Sequence, residues 1–251
     1  MTGTLYLVPA PLDFGCDSPS ALEVALPAHT LRTAASLRHW ICENAKTTRA
    51  YLKRIEAAYP LCDTLQAMQI TELPREVHKK GDHQGEFDAR PLLKAALEGH
   101  NIGLVSEAGM PAIADPGSSV VRAAHQLGIP VVPLVGPVSL MLTLAASGLN
   151  GQNFAFVGYL PAQEPQRTQR ITELEGLAHK SGQTQLFIET PYRNAALLQS
   201  LLKGLRPGTV LATASGLTLD SASVRSASVQ DWRRKAWTVE QDVPTVFALG
   251  R

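Results

Sequence analysis

Residues 101–134 decide the fold class, and they read NIGLVSEAGMPAIADPGSSVVRAAHQLGIPVVPL. An apolar strand over Asn101–Val105 runs into a loop rich in glycine and proline, Ser106–Gly117, and a helix follows over Ser118–Leu127. A glycine ends that helix, and Ile129–Leu134 is apolar and β-branched, which favours a second strand. A strand–helix–strand unit of this kind predicts a parallel sheet with a right-handed crossover, and therefore an α/β protein.

The same alternation extends in both directions from this unit. Toward the N-terminus, the pattern predicts strands at Thr4–Val8, Leu31–Thr33, Trp40–Cys42 and Ala67–Thr71, helices starting at Ser36 and Thr47, and a mobile polar loop from Glu72 to Glu86. Toward the C-terminus, it predicts strands at Phe154–Val157, Gln185–Ile188, Val210–Thr213, Val224–Val229 and Thr245–Leu249, with helices between the first three.

A polar, glycine-bearing break at Asn150–Asn153 separates the two series of strands and helices. Domain boundaries fall in breaks of this composition. We therefore expect an N-terminal α/β domain over residues 1–150 and a C-terminal α/β domain over residues 151–251, each built on a mostly parallel sheet.

Composition places the chain among ordinary globular proteins and limits its partners. Of the 251 residues, 45% are hydrophobic and 18% are charged, and the formal net charge is +1. With no overall positive field, a nucleic-acid partner would need a local basic patch. The three cysteines are widely spaced and form no CxxC pair, and the histidines are scattered, so we expect a cytoplasmic protein without a metal site.

The apolar run Ile129–Leu149 is the stretch that most resembles a membrane span. It contains Pro130, Pro133 and Pro137 together with glycines, and it divides into a strand and a helix. This density of helix-breaking residues argues against a membrane-spanning helix, so we expect no membrane partner.

Two loops that follow predicted strands have the composition of ligand-binding loops. In α/β sheets, ligands bind at the carboxyl ends of the strands, where Ser106–Gly117 begins. Its glycines and prolines permit an unusual backbone path, although a tight strand-to-helix connection would need them too. In Val135–Leu140, the free N–H groups at a helix start could meet a carboxylate, or Ser139 could cap the helix without a ligand.

Charged side chains at two other strand ends are the candidate catalytic groups. Trp40–Arg49 delivers Glu43 to the start of a helix, where solvated charges are also common. Ile188–Arg193 delivers Glu189 and Arg193, and these two could instead pair with each other. An alcohol acceptor needs a base within hydrogen-bond reach, so Glu43 and Glu189 are the candidate bases, and Arg193 could orient an anionic acceptor.

In chain order, these segments resemble the tetrapyrrole methylase superfamily. The resemblance is closest to its bacterial branch that methylates a cytidine ribose 2′-oxygen in 16S ribosomal RNA. It covers nearly the whole chain and is most specific from Leu104 to Leu149. The matching segments are Ser106–Pro111 with Ala114–Gly117, Gly128–Leu149, Phe154–Pro161 and Glu189–Arg193.

The resemblance implies two α/β domains with S-adenosylmethionine bound in a cleft between them, and usually a homodimer. Methyl transfer from a sulfonium depends mainly on alignment, which loops of small residues and backbone groups can provide. The positions that the resemblance implies as cofactor contacts are Pro9, Glu107, Ala108, Gly109, Pro111, Ile113, Gly136, Ser139, Tyr159, Leu160, Pro244 and Thr245.

The chain departs from the ribosomal RNA branch at its charged motifs. An Arg-Glu-Leu-Thr-Lys-x-x-Glu motif is replaced by Ser215–Ala222, and an Asp-Thr-Arg motif by Asn44-Ala45-Lys46. Because phosphate positioning relies on Arg and Lys, these losses leave the acceptor open between RNA and a small molecule. The alternative is a degenerate S-adenosylmethionine-binding or interaction protein without methyltransferase activity.

Overall fold

The computed structural model describes residues 1–13, 16, 19–80, 82, 87–241 and 243–251. Within these residues the chain forms two compact units, Met1–Val138 and Ser139–Arg251. Each unit contains a five-stranded sheet with helices, which confirms the α/β class. The boundary expected after residue 150 falls later in the chain than this division, because the helix Ser139–Ser147 packs against strands of the second sheet. The assignment of functional domains at residue 150 stays a prediction.

The sheet of the first unit is parallel at every strand pair. Its strands are β1 (Leu5–Leu7), β2 (His39–Cys42), β3 (Gln69–Glu72), β4 (Ile102–Val105) and β5 (Val131–Pro133), in the spatial order β3-β2-β4-β1-β5. Its helices are α1 (Ala28–Ala35), α2 (Ala45–Glu56), α3 (Arg75–Lys80), α4 (Lys94–Leu97) and α5 (Ser118–Gln126). Short 3-10 turns occur at Leu22–Val24 and Arg90–Leu93.

The sheet of the second unit departs from the expected parallel pattern. Its helices are α6 (Ser139–Ser147), α7 (Glu164–Ser181), α8 (Asn194–Gly204) and α9 (Val229–Lys235). Its strands are β6 (Phe154–Tyr159), β7 (Thr184–Glu189), β8 (Val210–Ser215), β9 (Ser223–Ser228) and β10 (Thr245–Gly250), in the order β6-β7-β10-β8-β9. The β6–β7 pair is parallel and the other three pairs are antiparallel. No helix separates β8 from β9, so this short connection returns the chain antiparallel.

Several local expectations near the N-terminus are corrected. Ser36 does not start a helix, because it follows the last residue of α1 as its C-cap. Leu31–Thr33 is not a strand but part of α1, whose buried residues Thr30, Leu31, Ala34 and Ala35 have helical spacing. Helix α2 starts at Ala45 and not at the expected Thr47, because the Asn44 side chain caps it by accepting hydrogen bonds from the N–H groups of Lys46 at 2.9 Å and Thr47 at 3.3 Å. The segment expected as a mobile loop contains part of β3 and all of α3, while residues 81 and 83–86 lie outside the described residues.

Each face of the first sheet packs against helices. On one face the Trp40 ring covers Gly103, where an added Cβ would lie 2.7 Å from ring carbons. Trp40 is 1% exposed and its indole N–H donates to the Leu37 carbonyl at 3.1 Å. On the other face, Ile102 and Leu104 pack with residues of α4 and α5. This two-sided burial explains why β4 is apolar along its whole length. Among the described residues, no helix is both long enough and apolar enough to cross a bilayer.

Candidate functional site

The strand order of the first sheet brings four loops to one edge. Strands β2, β4, β1 and β5 are neighbours in that order and all run the same way. Their carboxyl ends therefore place side by side the loops that start at Glu43, Ser106, Val8 and Leu134. The sequence predicted Glu43, Pro9, Gly136 and the start of Ser106–Gly117 as site residues, and within the first unit the structure brings them to the same edge.

Backbone contacts fix the loops after β1, β4 and β5 against each other. Ala10 and Gly109 exchange two backbone hydrogen bonds, at 2.9 and 3.0 Å, and Gly109 has a φ of +70°. The Pro9 ring lies on Gly136, where an added Cβ would be 2.2 Å from Pro9 Cγ. Gly109 is thus required by its left-handed backbone, and Gly136 is required by the close approach of the Pro9 ring.

Three carboxylates lie near one another at this edge. Glu43 Oε1 accepts a hydrogen bond from the Glu107 N–H at 3.3 Å, and Glu107 Oε1 accepts from the Thr47 hydroxyl at 2.6 Å. Burial, and then the carboxylates of Glu43 and Glu107, raise the pKa of Asp115 to about 7. The sequence did not identify Asp115 as a site residue, although it lies in the Ala114–Gly117 segment that carries part of the family resemblance.

A cavity of about 210 Å³ opens between the loops after β1 and β4 and helix α2. Most polar groups in its wall already have partners. The Tyr51 hydroxyl donates to the Pro9 carbonyl at 2.9 Å, and Arg54 donates to both carboxylate oxygens of Asp13, at 2.8 and 3.3 Å. Ser106 is 6% exposed, and its hydroxyl, among the described residues, has no hydrogen-bond partner. A buried hydroxyl without a partner is costly unless a ligand or a water satisfies it.

The loop after β4 has a strained backbone around Ile113. Ala112 and Ala114 have φ angles of 65° and 64°, which non-glycine residues rarely adopt. Between them, Ile113 is 43% exposed. Strain of this kind persists when the surrounding structure imposes it, and it is common at ligand-binding loops. Ala108 is half-buried and Pro111 is buried in the same loop.

The far end of this loop is held by Asp82, a residue distant in sequence. Its carboxylate accepts hydrogen bonds from the Gly117 and Ser119 N–H groups at 2.9 and 2.8 Å, and from the hydroxyls of Ser118 and Ser119 at 2.7 and 2.6 Å. Burial alone would raise the pKa of Asp82, but these bonds, led by those from Ser119, outweigh it and lower the pKa. Asp82 thereby caps α5 from outside the helix.

In the second unit, the predicted residues lie near the ends of β6, β7 and β10. Glu189 and Arg193 form an ion pair at 2.9 Å, and Glu189 Oε1 also accepts from the Thr190 N–H at 2.8 Å. The Glu189 side chain is 1% exposed. The geometry thus matches the alternative in which these two residues pair with each other, and their catalytic role stays a prediction.

Thr245, opposite Glu189 in the sheet, belongs to a buried polar cluster. Its hydroxyl lies 2.7 Å from the Ser215 hydroxyl and accepts from Asn194 Nδ2 at 3.0 Å. Asn194 is fully buried, and its side-chain oxygen has no partner among the described residues. The sequence missed Asn194 because an asparagine at a helix start normally indicates a cap.

The remaining predicted cofactor residues of the second unit differ in exposure. Tyr159 is 58% exposed, Leu160 is 3% exposed and Pro244 is exposed. Ser139 begins α6, and its carbonyl accepts from the Thr143 hydroxyl at 2.8 Å. The part of the chain that the structure describes contains no group of three or more His, Cys, Asp or Glu side chains suited to a metal ion.

Comparison with known proteins gives consistent matches. The sequence profile of the tetrapyrrole (corrin/porphyrin) methylases matches residues 28–231. A ribosomal RNA small subunit methyltransferase I from Vibrio cholerae is 34% identical over 161 residues, which cover 64% of this chain and 54% of that protein. The protein of that name from Escherichia coli O157:H7 is 30% identical over 241 residues, covering 96% of this chain and 73% of that protein.

The chain is shorter than many of these relatives, and its fold also has solved counterparts. It spans between 54% and 63% of the length of four of the ribosomal RNA methyltransferases. The crystal structure of the methyltransferase CobJ is similar with a TM-score of 0.58 at 16% identity, covering 100% of this chain and 95% of that one. At this identity the likeness shows the fold.

Proposed function

Because this chain belongs to the tetrapyrrole (corrin/porphyrin) methylase family, we propose that it is an S-adenosylmethionine-dependent methyltransferase. The observation that carries the proposal lies at the edge of the first sheet, where the loops after β1 and β4 and helix α2 border a cavity. The buried Ser106 hydroxyl in the wall of this cavity has no hydrogen-bond partner among the described residues. The acceptor is RNA or a small molecule. A cytoplasmic location is also part of the proposal, supported by three cysteines without disulfide partners.

The residues at this edge fit a cofactor such as S-adenosylmethionine. The loops expose backbone groups and small residues, Gly136 leaves room for the Pro9 ring, and the Ser106 hydroxyl needs a partner. The carboxylates of Glu43, Glu107 and Asp115 suit a ligand that carries positive charge. When bound, the cofactor supplies an electrophilic methyl group.

The protein's own part in such a transfer is to position the acceptor and receive its proton. Glu43 and Asp115 are the carboxyl groups of the first unit that we propose for proton transfer. A base is most effective when its pKa lies near the working pH, a condition that Asp115 meets. Thr47 and the Glu107 N–H would hold the Glu107 and Glu43 side chains in place.

The alternative function is that of a degenerate binding or interaction protein. It is favoured by the replaced charged motifs at Asn44–Lys46 and Ser215–Ala222. Titration calorimetry with S-adenosylmethionine and S-adenosylhomocysteine tests whether the cofactor site is retained. It distinguishes a protein that still binds the cofactor from an interaction protein that has lost it. We expect micromolar binding of both ligands, and a folded protein that binds neither would contradict the cofactor proposal.

Substitution Glu43→Gln tests the catalytic proposal. If Glu43 takes the proton, we expect methyl transfer to slow by about 10²–10⁴-fold while cofactor affinity stays within a few-fold. If Asp115 accepts the proton instead, the rate of methyl transfer by Glu43→Gln should stay close to that of the wild type. Its pH dependence, centred near pH 7 in the wild type, should then move to lower pH, because one of the charges that raise the pKa of Asp115 is gone. The measurement is the rate of methyl transfer to small-subunit ribosomal RNA against pH.

A homodimer is also part of the proposal. Val132 in the edge strand β5 and Val135 just beyond it are 38% and 69% exposed, which suits a surface covered by a second copy. We expect Val135→Lys to shift the light-scattering mass from dimer to monomer. Val24→Lys, at a position 64% exposed in the 3-10 turn, should leave the dimer intact. A wild-type protein that is monomeric at all concentrations would contradict this proposal.

A further inference from the structure

A basic and aromatic patch lies where the edge strand β9 meets the C-terminal end of α9. The guanidinium carbon of Arg225 is 4.2 Å from the centre of the Trp237 ring and 5.7 Å from that of Trp232. Lys235 Nζ is 4.6 Å from the same Trp237 ring. The two indoles meet edge-on with centres 5.4 Å apart, and Trp232 is fully buried. The buried ring thus anchors the arrangement to the core of the second unit.

Arg225 and Lys235 are the cations of this patch whose charged groups have neither a carboxylate nor a carbonyl partner among the described residues. Arg234 is paired with Asp231 at 2.6 Å, and Arg233 donates to the carbonyls of Leu202 and Leu205. Arg225 and Lys235, by contrast, have no carboxylate partner in the part of the chain that the structure describes. The patch therefore presents positive charge to solvent in a chain whose net charge is only +1.

We propose that Arg225 and Lys235, held on Trp237, bind the phosphate backbone of RNA. Stacking on a ring fixes a guanidinium in place while leaving its N–H edge free to donate, so little side-chain freedom is lost when phosphate binds. Phosphate contacts position a protein on RNA without reading its sequence. The patch is the local basic surface that an RNA partner of this nearly neutral chain requires.

This inference rests on the proposed function, because it selects RNA over a small molecule as the acceptor. It concerns a surface that contains none of the proposed cofactor residues. RNA binding by the patch can therefore be absent while the protein still binds the cofactor, and the protein can bind RNA without binding the cofactor.

Binding of a labelled single-stranded RNA of about 16 nucleotides, measured by fluorescence anisotropy against salt, tests the proposal. We expect the double variant Arg225→Gln/Lys235→Gln to bind on the order of tenfold more weakly at low salt, since two phosphate contacts are lost. The slope of log affinity against log salt should fall by about 1.4, which is about 0.7 per lost contact on a single strand. Arg225→Lys, which keeps the charge, should retain most of the slope.

The matched control removes two charges of the same unit that are ion-paired. Arg170→Gln/Lys203→Gln changes the net charge equally, but these residues pair with Glu173 and Glu164. Thermal melting shows whether the Arg225 substitution unfolds the second unit. If it does, the single variant Lys235→Gln tests the patch in a folded protein. The proposal is overturned if the wild type does not bind RNA, if the control loses as much affinity as the patch variant, or if polyglutamate of equal charge competes as well as RNA. Cofactor calorimetry on the same preparations reports separately on the proposed methyltransferase.

Discussion

Replacing Asp82 with alanine should destabilise the first unit by about 2–4 kcal/mol. The substitution removes a buried carboxylate that accepts four hydrogen bonds, two from backbone N–H groups at the start of α5. Hydrogen bonds to charged groups contribute about 1.5–3 kcal/mol each, but bonds within one network are not additive. Urea denaturation at neutral pH measures the difference in the free energy of unfolding.

The same carboxylate makes stability depend on pH in a defined direction. Its pKa is lowered in the folded state, so its contribution is fully present above the unfolded pKa of about 3.9 and is lost as the pH falls through the folded value. The difference in stability between wild type and Asp82→Ala should therefore narrow as the pH falls below about 4. Asp88→Ala is the control, because Asp88 is exposed and bonded to Arg90 alone among the described residues. An equal loss in both variants would contradict the assigned role of Asp82.

Replacing Gly136 with alanine should weaken cofactor binding by at least about tenfold. The added Cβ would lie 2.2 Å from Pro9 Cγ and 2.4 Å from Pro9 Cβ. A proline ring has few ways to move aside, so the loop after β1 must shift away from the loop after β5. Both loops border the proposed cofactor site, so this shift would move apart the residues of the two loops that are proposed to contact the cofactor together. Calorimetry with S-adenosylhomocysteine measures the loss.

The matched control for this change is Gly151→Ala, a position where an added Cβ meets no atom within 4 Å. It should leave affinity unchanged. We also expect Gly136→Ala to cost about 1–3 kcal/mol of stability, as overpacking does in other well-packed interiors. Unchanged affinity in a folded Gly136→Ala protein would mean that the Pro9 loop is not part of the cofactor site.

The sequence predicted the first sheet well because its signals are local. The alternation in residues 101–134 and the apolar β4 follow from burial on both faces of a parallel sheet. The short α1 was mistaken for a strand at Leu31, because three residues cannot distinguish helical from strand spacing. The reversed direction of β9 and β10 relative to β6, β7 and β8 was not predicted either, since strand direction depends on which strands become neighbours.

The candidate site was predicted in part, for a similar reason. Glycine and proline marked the loops around Gly109 and Gly136, where the backbone itself carries the signal. Asp82 and Asp115 were missed because their roles depend on partners brought close by folding. The pairing of Glu189 with Arg193 was open from sequence, since an acid and a base four residues apart are compatible with both a salt bridge and a catalytic pair.

The composition of the edge strand β9 also bears on the protein's solubility. An edge strand offers unpaired backbone groups on which a second chain can build intermolecular β-structure. The sequence of β9, SVRSAS, has three serines, a single large apolar residue and a central arginine. Such a strand is a poor template for aggregation, since the serines contribute little burial and the cationic side chains of two copies would repel each other. We therefore expect Arg225 to disfavour intermolecular strand pairing along this edge, independently of its proposed contact with RNA.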